Sequence, residues 1–129
     1  MPHLQFDTTV ECSPNSRRSF IETVADLFAQ HMDTGTDHIA VTFRSHDAGA
    51  MWIGRSVDGP VLVLDADIRR GRSFDRRRSF GLAVMDQAIE RFGIPEPNLK
   101  VTFTEHDGNQ MMGYDRIGTP WTDDEAVEE

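Results

Sequence analysis

Arg69, Arg70 and Arg72 fall within four consecutive residues, at a turn between an apolar run and a helix start. Guanidinium groups spaced this closely can hold a carboxylate through paired N–H bonds, and Arg69/Arg72 or Arg70/Arg72 would serve as the clamp. The start of the chain offers a second reactive group. Met1 precedes proline, a small residue behind which an initiator methionine is normally removed. Its loss would leave Pro2 with a secondary amine at the terminus. An α-amine titrates near about 7.7–8.0, and lower when desolvated or placed beside cations. At neutral pH such an amine is a base or a nucleophile. Asp37 precedes an apolar segment, where its carboxylate either caps a turn or orients a substrate or water. The expected site residues are therefore Pro2, Arg69, Arg70, Arg72 and Asp37. The chemistry they imply is proton transfer on a small anionic substrate held by its carboxylate.

Composition narrows the field. The 129-residue chain suffices for one domain with a modest core. Its net charge of -9 argues against a general nucleic-acid binder. That charge is unevenly spread: residues 69–78 carry six of the thirteen basic side chains, whereas 122–129 carry five acids. A focused positive patch in an acidic protein suits a small anion; Arg76, Arg77 and Arg78 are expected to be solvated or paired with acids. Cys12 is alone, so no intrachain disulfide can form, and no Cys/His spacing matches a structural zinc site. No long apolar run and no charged-then-apolar leader are present, so a cytoplasmic protein without a membrane partner is expected. No organic or metal cofactor is required.

Two similar units must position these groups. Leu4, Phe6, Thr8 and Val10 alternate with polar residues, predicting a strand. Ser13-Pro14 then opens a helix running to about Met32, with Phe20, Val24, Leu27 and Phe28 on one stripe. A second strand is expected over 39–44 and a short one over 51–53. The pattern then repeats. Residues 61–66 read as a central strand, Ser73 caps a helix from Phe74 to Phe92, Gly93 ends it, and 100–105 is the fourth main strand. Met111-Met112 and Tyr114 suggest a further short strand. The prediction is an α+β fold: two consecutive β-α-β units forming a four-stranded sheet with both helices on one face. The domain is expected to occupy 1–118, and the acidic segment 119–129 to be a disordered tail. The open sheet face is expected to be apolar and to meet copies of the chain. His31, near a helix end, reads as a surface residue favoured by the dipole, and His38, His46 and His106 show no convincing ligand partners in the sequence.

With Pro2 and the stretch Ile68-Arg69-Arg70-Gly71-Arg72-Ser73 in two β-α-β units, the chain resembles the tautomerase superfamily, whose members use an amino-terminal proline. It is most similar to the branch containing cis-3-chloroacrylic acid dehalogenase and malonate semialdehyde decarboxylase. Thr34-Gly35-Thr36-Asp37-His38, Trp52-Ile53-Gly54 and the segment 110–116 resemble that branch as well. The resemblance implies a homotrimer, with Pro2 catalytic and the arginines on the substrate carboxylate. It also exposes departures. Gln30 stands where the dehalogenases carry a helix-end histidine, although His31 is adjacent; Thr102 replaces a tyrosine and Gly113 a water-activating glutamate. Dehalogenation is accordingly not expected. The decarboxylase pattern places its aspartate on Asp37 and its arginines on Arg70 and Arg72, with a charged Pro2. Keto-enol tautomerisation of a small 2-oxo or enol carboxylate, with Pro2 as base, loses no group it needs. The alternatives are a decarboxylase or hydratase of a 3-oxo acid and a non-catalytic trimeric scaffold.

Overall fold

In the computed structural model, which describes residues 1–114 and 116–119, the main elements run β1 (His3–Thr8), α1 (Pro14–Met32), β2 (Ala40–Ser45), β3 (Leu62–Arg69), α2 (Phe74–Phe92) and β4 (Leu99–His106). A two-stranded hairpin follows, β5 (Met112–Gly113) and β6 (Arg116–Ile117). The 119–129 tail expected from composition lies, from residue 120 onward, outside the described residues. None of the described helices is long and apolar enough to cross a membrane.

The two helices begin alike. Ser13 and Ser73 are extended residues whose hydroxyls accept from the amides of Ser16 and Arg76, satisfying an otherwise orphaned helical N–H. Both helices end on a residue in the left-handed region, Gly93 (φ 65°) and, less usually, Asp33 (φ 56°). The Gly93 stop is the one expected, and α1 ends at Met32 as expected, with Asp33 as its cap. A short aspartate tolerates this backbone better than most residues.

The sheet order is β2-β1-β3-β4. β1 and β2 are parallel, as are β3 and β4, while the central pair β1/β3 is antiparallel. The alternation read from the sequence sorts the two faces. Leu4, Phe6, Leu62, Leu64, Ala66 and Ile68 are buried against Phe20, Val24, Phe28, Phe80, Val84 and Ala88 of the helices. Edge-on ring pairs such as Phe6–Phe20 and Phe28–Phe80, with centroids 5.2 and 5.1 Å apart, lock helix to sheet and helix to helix.

Two expectations are corrected. The segment 51–53 forms no strand; Trp52 is exposed within a connection that crosses from β2 to β3. The uncovered sheet face is polar, not apolar. It carries His3, Gln5, Asp7, Thr42, Arg44, Asp65, Asp67, Lys100, Thr102, Thr104 and His106, with Ala40 and Val63 as its apolar members. The large apolar residues of β2 and β4 lie on the helix side, where Val41, Phe43, Leu99, Val101 and Phe103 join the core.

Candidate active site

The strand directions decide what meets Pro2. His3 pairs with Asp67 across the antiparallel β1/β3 ladder, so the chain start lies at the C-terminal end of β3, where the arginine turn begins. The parallel partner β2 also starts there: the Ala40 amide donates to the Pro2 carbonyl at 3.0 Å. β4, parallel to β3, ends there with His106 beside Arg69. Four strand termini thus converge at one edge of the sheet. They frame an open cleft of about 420 Å³ lined by Met1, Pro2, His3, His38, Ala40, Asp67, His106 and residues 110–112. That volume suits a small organic ligand. Pro2 is buried, on the same side of the ladder as Leu4 and Phe6.

Around Pro2 the polar groups are mutually engaged. Asp67 uses both carboxylate oxygens. His106 Nε2 lies 2.8 Å from Oδ1, and Gln5 Nε2 donates to Oδ2 at 3.1 Å. A carboxylate offers acceptors alone, so the ring nitrogen is the donor in the first contact. His3 shares a 2.9 Å hydrogen bond with Thr42 Oγ1 on β2. His106 has no partner visible in the sequence because Asp67 lies 39 positions away. The available signal was that Asp65 and Asp67 interrupt the apolar β3 run at alternate positions, placing both acids on one face.

The arginines separate into distinct environments. Arg69, at the end of β3 and 2% exposed, donates Nη1 to the Thr119 carbonyl at 2.7 Å, beneath the segment that follows β6. Close packing there requires glycine: a Cβ at Gly108 would collide with the Thr119 backbone, and one at Gly118 with the Gly108 carbonyl. Arg70 is exposed at the turn. Its Nε donates to Asp107 Oδ1 at 3.1 Å, and both side chains remain mostly in solvent, 61% and 70% exposed. Arg72 is 5% exposed and turns the other way. Its Nε donates to the carbonyl of Met32, the last residue of α1, at 2.8 Å, and its guanidinium stacks 5.6 Å over the Phe28 ring. It therefore satisfies an orphaned helix carbonyl and faces the negative end of the α1 dipole. Asp37 is exposed and outside the cleft lining, whereas the adjacent His38 belongs to it.

No protein-family model matches the sequence, and no curated protein matches it. Solved structures do. Pt0534 inactivated by 2-oxo-3-pentynoate superposes with a TM-score of 0.78 at 19% identity, over 90% of this chain and 94% of that one. N1, a member of the cis-3-chloroacrylic acid dehalogenase family, gives 0.77 at 17% identity, over 90% and 84%. A fused 4-OT symmetric trimer gives 0.79 at 12% identity, over 90% and 94%. The chain shares the fold of these proteins. At these identities the likeness concerns architecture, and the tautomerase-like β-α-β arrangement expected from the sequence is the one observed.

Proposed function

We propose that this protein is a tautomerase of small 2-oxo or enol carboxylates, with Pro2 as general base and arginine as the carboxylate ligand. One observation carries the reading: the antiparallel β1/β3 register brings Pro2 to a cleft at the end of β3, immediately before the arginine turn. The reading requires removal of Met1, which itself lines the cleft; its loss would free the amine and widen the space beside it. In the keto-to-enol direction a neutral amine takes a proton from C3 while the carbonyl oxygen is protonated. In the enol-to-keto direction the protonated amine returns that proton to C3 as the hydroxyl proton leaves.

None of the three arginines lines the cleft, and Arg70, the exposed one, is the one able to turn toward a carboxylate without leaving a buried position. Its pairing with Asp107 is a surface contact of little net worth and can be exchanged. Arg69 and Arg72 would have to leave buried positions. The decarboxylase alternative loses support because Arg72, one of its two carboxylate ligands, is buried and reaches the end of α1. A homotrimer fits the fold, as in the fused 4-OT trimer it resembles. Its contacts would involve polar surface and the sheet edges β2 and β4 rather than an apolar face.

The test uses 2-oxo-3-pentynoate, the inactivator present in the Pt0534 structure. A neutral Pro2 amine adds across the triple bond at C4, C3 gains a proton, and no group leaves. Mass spectrometry should then find mature protein lacking Met1 and carrying one whole reagent on Pro2, with matched loss of turnover of the enols of pyruvate, 2-oxobutyrate and phenylpyruvate. Retained Met1, or an intact amine in inactivated protein, would overturn the assignment. Failure to turn over any of the three enols would overturn it too.

A further inference from the structure

We propose that His106, positioned by Asp67, is the second proton-handling group of the cleft and works opposite Pro2. The inference rests on the reading of Pro2 as base and names the acid that this reading otherwise leaves to water. Gln5, Asp67 and His106 sit on three adjacent strands, β1, β3 and β4, at the sheet edge that frames the cleft. Each Asp67 oxygen has its own donor, at 2.8 Å from His106 and 3.1 Å from Gln5, so the carboxylate is fixed from both sides. It in turn fixes the imidazole: Nε2 carries the proton facing Asp67, leaving Nδ1 as the ring nitrogen that gives up or accepts a proton. Both side chains keep about a third of their surface, 34% for His106 and 30% for Asp67. A cross-strand ion pair this open contributes little to stability, yet it remains accessible to a molecule in the cleft. A carboxylate orienting a histidine beside a second base is an arrangement suited to acid–base chemistry.

In the keto-to-enol direction Pro2 nitrogen takes a proton from C3. The C3–H electron pair becomes the C2–C3 double bond, and the carbonyl π pair moves onto oxygen. That oxygen accepts the proton carried by His106 Nδ1. Ketonisation runs the same steps backward, so protons and electrons balance without a co-reactant.

The experiment follows ketonisation of the phenylpyruvate enol by the full-length mature protein. His106→Asn should lower kcat about 10²-fold with KM changed no more than about twofold. His106→Ala should fall equally and regain activity when imidazole is added. Asp67→Asn should lower kcat about tenfold at unchanged KM, because the ring loses its enforced tautomer. His46→Asn, a histidine held by Asp7 outside the cleft lining, serves as the control and should match the wild type. Circular dichroism melting separates a misfolded variant from a folded, inactive one. A folded His106→Asn enzyme with wild-type kcat overturns the proposal, as does His106→Ala that imidazole fails to rescue. Pro2→Ala distinguishes the two readings. Activity lost there but kept in His106→Asn leaves Pro2 standing and removes His106. Activity kept in Pro2→Ala but lost in His106→Asn removes Pro2 as base and leaves His106 as the group that moves protons.

Discussion

Replacing Arg72 by alanine should damage the fold more than it damages substrate binding. The Arg72 Nε bond to the Met32 carbonyl is 2.8 Å long and 5% exposed, and joins the β3–α2 turn to the end of α1. A hydrogen bond from a charged donor is worth about 1.5–3 kcal/mol. The guanidinium over Phe28, at 5.6 Å, adds about 1–2 kcal/mol when desolvated. The two contributions share one group and do not add fully, so the expected loss is about 3 kcal/mol. For a domain of this size that is a drop in Tm of about 12 °C. Arg72→Lys keeps the charge but not the planar stack, and should recover only part of it. The contrast is Arg70→Ala, at a mostly exposed side chain. It should leave stability within about 0.5 kcal/mol and raise KM for a 2-oxo carboxylate about tenfold, the cost of about 1.4 kcal/mol of lost binding. Urea denaturation and steady-state kinetics on the same preparations check both arms. An Arg72→Ala protein with wild-type stability and a sharply raised KM would refute the division of roles.

Other outcomes follow from buried and charged groups away from the cleft. Asn98 is fully buried. It accepts from the Val57 amide at 2.8 Å and donates to the Val57 and Pro60 carbonyls at 2.8 and 3.0 Å, pinning the connection before β3. Asn98→Ala orphans these groups and should cost about 3 kcal/mol in urea denaturation; an unchanged midpoint would show that water replaces the amide. The Arg44 guanidinium hydrogen-bonded to Asp7, aided by His46 and partly opposed by burial, holds the Asp7 carboxyl below its ordinary range. Arg44 is correspondingly shifted up, chiefly by the same hydrogen bond. A carboxyl lowered in the folded state stabilises it above the unfolded pKa, about 3.9, and that contribution is lost as pH falls through the lower folded value. Wild-type stability should therefore decline with acid in this window more steeply than that of Asp7→Asn, as thermal melts between pH 2 and 6 (roughly the span around the carboxylate range) will show.

Much of the architecture was legible because its signals are local. Ser13-Pro14 and Ser73 mark helix starts by the need to satisfy orphaned amides within three residues, and both helices begin and end within a residue of their sequence marks. Apolar stripes such as Phe20, Val24 and Phe28 need only the helical period. The open face was misread because the apolar residues of β2 and β4 were not assigned to a side. Once the ladders align Val41 with Leu4 and Phe43 with Phe6, they leave the open face to polar groups.

The sequence alone determined the two β-α-β units, the duplicated helix caps and the residue types able to handle protons and carboxylates. Only the tertiary structure decided which of those residues meet. Strand direction and register relate positions far apart in the chain, such as His3 with Asp67, and no periodicity within one strand encodes them. The antiparallel central pair brought the chain start to the C-terminal end of β3, and the diagonal between β3 and β4 joined Asp67 to His106. Three arginines of identical chemistry were likewise separated by burial alone. Arg72 was drawn to an unsatisfied helix carbonyl, Arg69 lies under the chain after β6, and Arg70 was left facing solvent.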